Sequence, residues 1–182
     1  MNKAFDPQKV ANAISYVLSQ SGGSDFHKVF KILYFADQKH LVRYGKPIFN
    51  DTYHALKDGP VPTKTYDGLK SLKATNPFGI EDSPFKDFFT VSNDFYIVKL
   101  KEPDLDYLSE TEMECLDESI EENKNLTFTV IREKSHGLAW KNGCEKLFPT
   151  IDFLDIAAEA KATPEMLAYI NTYFENFRLL SE

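Results

Sequence analysis

The sequence predicts an α+β fold, a mostly helical single domain with a small antiparallel sheet. Apolar residues recur at the helical period in most segments, as at Val10, Ile14, Val17 and Leu18. Two runs rich in β-branched and aromatic residues flank Ser92-Asn93-Asp94 and predict a β-hairpin over about 87–100. Alternation at Tyr53, Ala55 and Lys57 adds a short strand over about 51–57. Strands and helices do not alternate regularly, so the pattern is α+β and not a parallel α/β sheet.

Each element has a local cause. Asp6 caps the first helix, and Pro7 suits its first position, where a missing N–H has no partner to lose. Gly22-Gly23 stops it. The longest helix is expected over 25–44, with Phe26, Val29, Phe30, Leu33, Ala36, Leu41 and Tyr44 roughly in period and Gly45 at its end. Lys39, His40 and Arg43 suit the negative end of its dipole. Pro60 and Pro62 lack amide donors, so the 51–57 strand ends there or lies at an edge. Pro62 opens a short helix over 63–73, and Pro77, Gly79 and Pro84 predict a loop over 74–86. Glu102-Pro103-Asp104 closes the hairpin. Ser109 and Glu112 form a capping box for a helix carrying Met113, Leu116, Ile120 and Leu126. Thr127 caps a shorter helix, and Ser135-His136-Gly137 precedes Leu138-Ala139-Trp140. Ile151 or Asp152 opens a helix through Ala162. Thr163-Pro164 opens the last, with Met166, Leu167, Ile170, Phe174 and Phe177 as its apolar positions. No repeat, low-complexity tract or linker interrupts the chain, so residues 1–182 are expected to form one domain.

Composition narrows the function. A domain of 182 residues buries roughly 70% of its unfolded surface and needs no staple to fold. Aromatic residues make up 14% of the chain, which implies a Phe-heavy core or rings on a contact surface. The net charge of −7 repels phosphate backbones and disfavours nucleic acid, while it steers in a basic protein partner. Cys115 and Cys144 form no C-x-x-C, which fits a reduced, cytoplasmic protein. Lys3, Asp6, Gln8 and Lys9 interrupt any N-terminal signal-like run, and no apolar stretch of about 18 residues is present to span a membrane.

Candidate chemistry is sparse. Asp37 and His40 share a helix face, where a carboxylate can orient an imidazole as a general base, but no nucleophile is placed beside them. His40 and His54 with Asp51 or Asp58 match no common zinc or iron spacing, so no metal and no cofactor are expected. His136 and Trp140 are four apart, as in a stacked pair that docks the second half of the chain or forms a contact surface. Glu118, Glu121 and Glu122 form an acidic helix face. None of the phosphate-loop, dinucleotide, nucleophile-elbow or zinc-protease motifs occurs.

Residues 28–61 hold six aromatics, two His and two Gly-centred turns with no catalytic arrangement, as in a surface built for recognition. Tyr44, Tyr53 and Tyr66 are the expected partner anchors, because Tyr gives contact area with few rotors to freeze. Asp58, Gly59, Pro60 and Val61 form the turn that aims them. This stretch resembles the Panacea antitoxin domain, the SocA-like or phage-associated GepA-like family. The resemblance rests on Lys31, Leu33, Tyr34, Phe35 and Ala36, then Gly45, Pro47 and Ile48, then Asp51 and Ala55, then Gly59-Pro60-Val61 and Tyr66. Ser135-His136 and Trp140 match more loosely. Many members carry Trp after the Ala aligned with Ala55, where this chain has Leu56. The resemblance implies a non-catalytic bacterial or phage protein that binds and neutralises a cognate protein toxin. Some members instead act as adaptors that hand a toxin to a protease. A small hydrolase or metal enzyme using Asp37, His40 and His54 is the alternative from a different class.

Overall fold

The computed structural model describes residues 4–73 and 84–179, with side chains of the last helix as far as Asn176. The first half runs α1 (Pro7–Ser21), β1 (Ser24–Asp25), α2 (Phe26–Tyr44), β2 (Tyr53–Leu56), β3 (Gly59–Pro62) and α3 (Thr63–Lys70). Next come α4 (Phe85–Phe88), β4 (Phe89–Ser92), β5 (Tyr96–Lys99) and a 3-10 turn at Leu105–Tyr107. The second half adds α5 (Glu110–Asn123), α6 (Phe128–Ser135), α7 (Leu138–Cys144), β6 (Thr150–Ile151), α8 (Phe153–Glu159) and α9 (Pro164–Leu179).

The class is α+β, and the strands divide into two antiparallel three-stranded sheets, ordered β1-β5-β4 and β3-β2-β6. The predicted hairpin pairs with β1 and not with the 53–56 strand, so there is no single sheet. β1 and β6 are two residues each, too short to show a period in sequence. Phe85–Phe88 is helical, so the hairpin begins at Phe89, and the helix after Pro62 ends at Lys70. The rest of the predicted 74–86 loop, residues 74–83, lies outside the described residues, as does the Phe177 side chain. The expected caps form. The Asp6 carboxylate accepts from the Gln8 and Lys9 amides, Gly22 and Gly45 close α1 and α2 at φ 72° and 70°, and the Ser109–Glu112 box opens α5.

Helix α2 is the axis of the molecule. Val29, Phe30, Leu33 and Ala36 join α1, α4, α5 and β5 in one core. Tyr34, Phe35 and Leu41 join β2, α7, α8 and α9 in another. A helix with apolar residues on both faces is buried along its length, so its polar side chains need internal partners. Asp37 is one of these. Its Oδ1 accepts from the Ile48 and Phe49 amides at 2.6 and 3.2 Å, and its Oδ2 accepts from the Tyr53 hydroxyl at 2.9 Å. Asp51 is likewise buried and anchors the start of α3, accepting from the Lys64 and Thr65 amides and the Thr65 hydroxyl.

Burial pushes the Asp37 carboxyl up to about 7, against the opposing pull of its hydrogen bonds. A folded value above the unfolded 3.8 gives stabilisation that is present below 3.8 and lost as pH rises through about 7. Asp37→Asn retains a carbonyl for the two amides and a polar group for Tyr53. It is expected to flatten the stability profile across that window in denaturant titrations. Asp37→Ala strands three buried donors and is expected to cost about 3 kcal/mol or more at every pH.

Candidate functional site

The β2–β3 hairpin is mounted on α2 and α6 by an unusual set of bonds. Its register runs from Tyr53↔Pro62 to Leu56↔Gly59, so Lys57 and Asp58 form the turn. Gly59 lies at φ 102°, and a Cβ there would sit 2.4 Å from Ser135 Oγ and 2.8 Å from Lys31 Cε. Only glycine both adopts that backbone and lets the strand come so close. The Thr63 amide donates to the Thr52 carbonyl at 2.9 Å, so residues 59, 61 and 63 direct their amides toward β2. Pro60 and Pro62 take the outward positions, and the outer edge of β3 therefore offers no N–H donor. The 53–56 strand ends before the prolines, and Pro60 and Pro62 fall in a second strand, β3, at the edge of the sheet, in line with the expectation that the strand ends there or lies at an edge.

The outward carbonyl of Pro60 accepts from Lys31 Nζ at 2.8 Å. Lys31 is fully buried, and that burial pulls its ammonium down to about 7, opposed by the nearby Asp58 charge. Its contribution to stability is therefore present above 10.5 and lost as pH falls through about 7. Further bonds hold the turn from the other side. Arg132 Nε donates to the Asp58 carboxylate at 3.0 Å, and His27 Nε2 lies 3.1 Å from the Asp58 carbonyl. Trp140 Nε1 donates to the Leu56 carbonyl at 2.9 Å. His136 stacks on Trp140 at 3.8 Å with the rings parallel, although the pair spans the break between α6 and α7 rather than one helix.

Between this hairpin, the start of α2 and α3 opens a cleft of about 320 Å³. Phe26 and Phe30 wall one side, and Tyr66 meets both edge-on at 6.2 and 5.9 Å. Leu56, Lys57, Asp58 and Val61 form the other side, and Lys31 lines the base. His27 sits at the rim with its ring 4.0 Å from Phe128, and burial holds its imidazole below the usual value. Leu56 and Phe128 are 43% and 50% exposed, so the rim carries open apolar surface. Two larger concavities, about 440 and 560 Å³, lie against α8–α9 and against the 46–50 turn, away from the hairpin turn.

Asp58, Val61 and Tyr66, expected as partner contacts, line this cleft, while Gly59 and Pro60 are buried behind it and shape the turn. Tyr53 is not a surface anchor. It is 1% exposed, its ring meets Tyr34 at 5.2 Å, and its hydroxyl is bonded to Asp37. Strand alternation sorts side chains into two faces without saying which one is covered. Tyr44 lies roughly 20 Å along α2 from Phe30 and bonds Glu114 at 3.2 Å, so the three tyrosines form no common patch. Lys31, Tyr34, Gly45 and Ala55 are all buried. A Cβ on Gly45 would meet the Tyr169 ring at 2.3 Å, and Ala55 Cβ sits 3.0 Å from where one would stand on Gly143. Phe26, His27 and Phe30 complete the cleft. Their signal in sequence is an i,i+4 aromatic pair at a helix start, which reads equally as core.

Asp37, His40 and His54, the side chains of the catalytic alternative, each bond to other groups. His40 bonds the Lys46 carbonyl at 2.7 Å and the Thr111 hydroxyl at 3.3 Å, His54 bonds the Thr63 hydroxyl, and Asp37 is committed to Ile48, Phe49 and Tyr53. Among the described residues, no group of three His, Cys, Asp or Glu side chains could hold a metal ion. No helix among them is long and apolar enough to cross a membrane.

The family described as antitoxin SocA-like, Panacea domain, matches residues 29–141, from the first turn of α2 into α7. That is more than half of the chain, and the chain belongs to this family. The family description ties it to toxin–antitoxin systems, in which the partner is a protein toxin. No curated protein and no solved structure matches the chain.

The close seating of the hairpin is directly testable. Gly59→Ala forces a Cβ into the left-handed region and against Ser135 and Lys31. It is expected to lower unfolding free energy by about 2–3 kcal/mol in urea titrations.

Proposed function

We propose that this chain is a cytoplasmic, non-catalytic antitoxin that neutralises its cognate protein toxin by binding it directly, with the hairpin cleft as the docking face. The observation that carries this reading is the cleft itself, a concavity walled by three aromatic rings and rimmed by exposed Leu56, with exposed Phe128 beside it against His27. Aromatic anchors beside desolvated pockets are where binding energy concentrates in protein interfaces. The mounting of the turn by Lys31, Arg132 and Trp140 supports it further, since a rigid surface loses little entropy on association. With no donor on the outer edge of β3, side chains and not strand addition mediate recognition on this flank.

Expression of the gene adjacent to this one is expected to arrest growth, and co-expression with this chain to restore it. Leu56→Asp and Phe128→Asp alter exposed side chains and are expected to leave the melting temperature of the free protein within a few degrees of wild type. Both are expected to abolish the rescue. Tyr66→Ala is expected to weaken the purified complex by about 1–3 kcal/mol in calorimetry. Full rescue by folded cleft variants overturns the docking face.

A further inference from the structure

We infer that the cleft takes an acidic segment of the partner, one in which an aromatic or branched aliphatic side chain is flanked by carboxylates. This rests on the cleft being the docking face and adds the chemistry of what enters it.

The argument is local charge. The chain as a whole carries −7, which taken alone favours a basic partner. The described residues around the cleft mouth lean the other way. Lys57 is exposed on the hairpin turn at its mouth. Lys73 Nζ stands 5.4 Å over the Phe26 ring, so an aromatic wall itself carries a cation. Lys31 at the base is committed to the Pro60 carbonyl at 2.8 Å. The acidic group in the lining, Asp58, is already paired with Arg132 at 3.0 Å. Much of the protein's acidic surface lies elsewhere, on α5, where Glu118 and Glu122 face Lys39 and Arg43.

Size and shape set the rest. A space of about 320 Å³ is at the low end of the roughly 300–1,000 Å³ of ligand pockets, and it holds one or two side chains. Its walls are apolar rings, so the inserted group is apolar. The lysines stand at the mouth and beside the walls, so the carboxylates belong on the residues flanking that group. Since the outer edge of β3 has no amide to give, the segment enters by its side chains and does not pair along the strand.

The test uses the full chain and two blocked tetrapeptides, acetyl-Glu-Leu-Phe-Glu-amide and acetyl-Lys-Leu-Phe-Lys-amide, titrated by NMR. The acidic peptide is expected to shift amides of residues 26–31, 56–61 and 66. It is expected to bind about tenfold more tightly than the basic one at low salt, and that preference should collapse at about 0.5 M salt. The exposed-site variant Lys57→Glu, alone and with Lys73→Glu, is expected to reduce acidic-peptide affinity about fivefold or more. Equal or tighter binding of the basic peptide at these residues overturns the charge assignment and leaves the docking face standing. Shifts that map to another surface overturn the docking face itself. The comparison of two peptides on the unaltered protein keeps the test decisive if a variant fails to fold.

Discussion

Three polar side chains of α2, Lys31, Asp37 and His40, have no exposed surface, and all three bond to the segment between Lys46 and Pro60. The rest of the structure depends on this arrangement. Burying a cation, a carboxylate and an imidazole is costly unless each finds a partner, so α2 is stable at the centre of two cores only with that segment wrapped against it. The dependence is mutual. The segment has one four-residue strand and one strand with two prolines, too little ladder to hold its own shape. The helix fixes the path of the segment, and the segment satisfies the polar groups of the helix.

What the sequence conveyed follows from range. Caps, the capping box and the two glycine stops depend on neighbours within a few residues, and they sit where local chemistry places them. The long period of α2 was equally legible, because both of its faces are apolar. Gly59-Pro60-Val61-Pro62 was not legible as a strand, because prolines argue against strands in general and are tolerated only at outward edge positions, which only the register reveals. Lys31 and Tyr53 escaped for a related reason. A lysine is rarely buried and a tyrosine is often a contact residue, and nothing near either of them in sequence says that Pro60 or Asp37 waits across the fold.

The residues that carry the family resemblance turn out to describe how the hairpin is mounted. Lys31 holds Pro60, Gly59 admits Lys31 and Ser135, Ala55 packs beside Gly143, and Trp140 grips the Leu56 carbonyl. These are interior tasks that any partner would leave undisturbed. The Leu56 side chain, by contrast, stands open at the cleft rim. A scaffold that fixes its backbone from within can change the residues at its rim without loss of shape.

The alternating prolines of β3 also bear on how the protein behaves among copies of itself. Apolar rim residues beside an edge strand would ordinarily invite stacking of one molecule on the next, the first step toward fibrils. Here the flank has no hydrogen to lend, so greasy side chains can remain in the open without seeding cross-β growth.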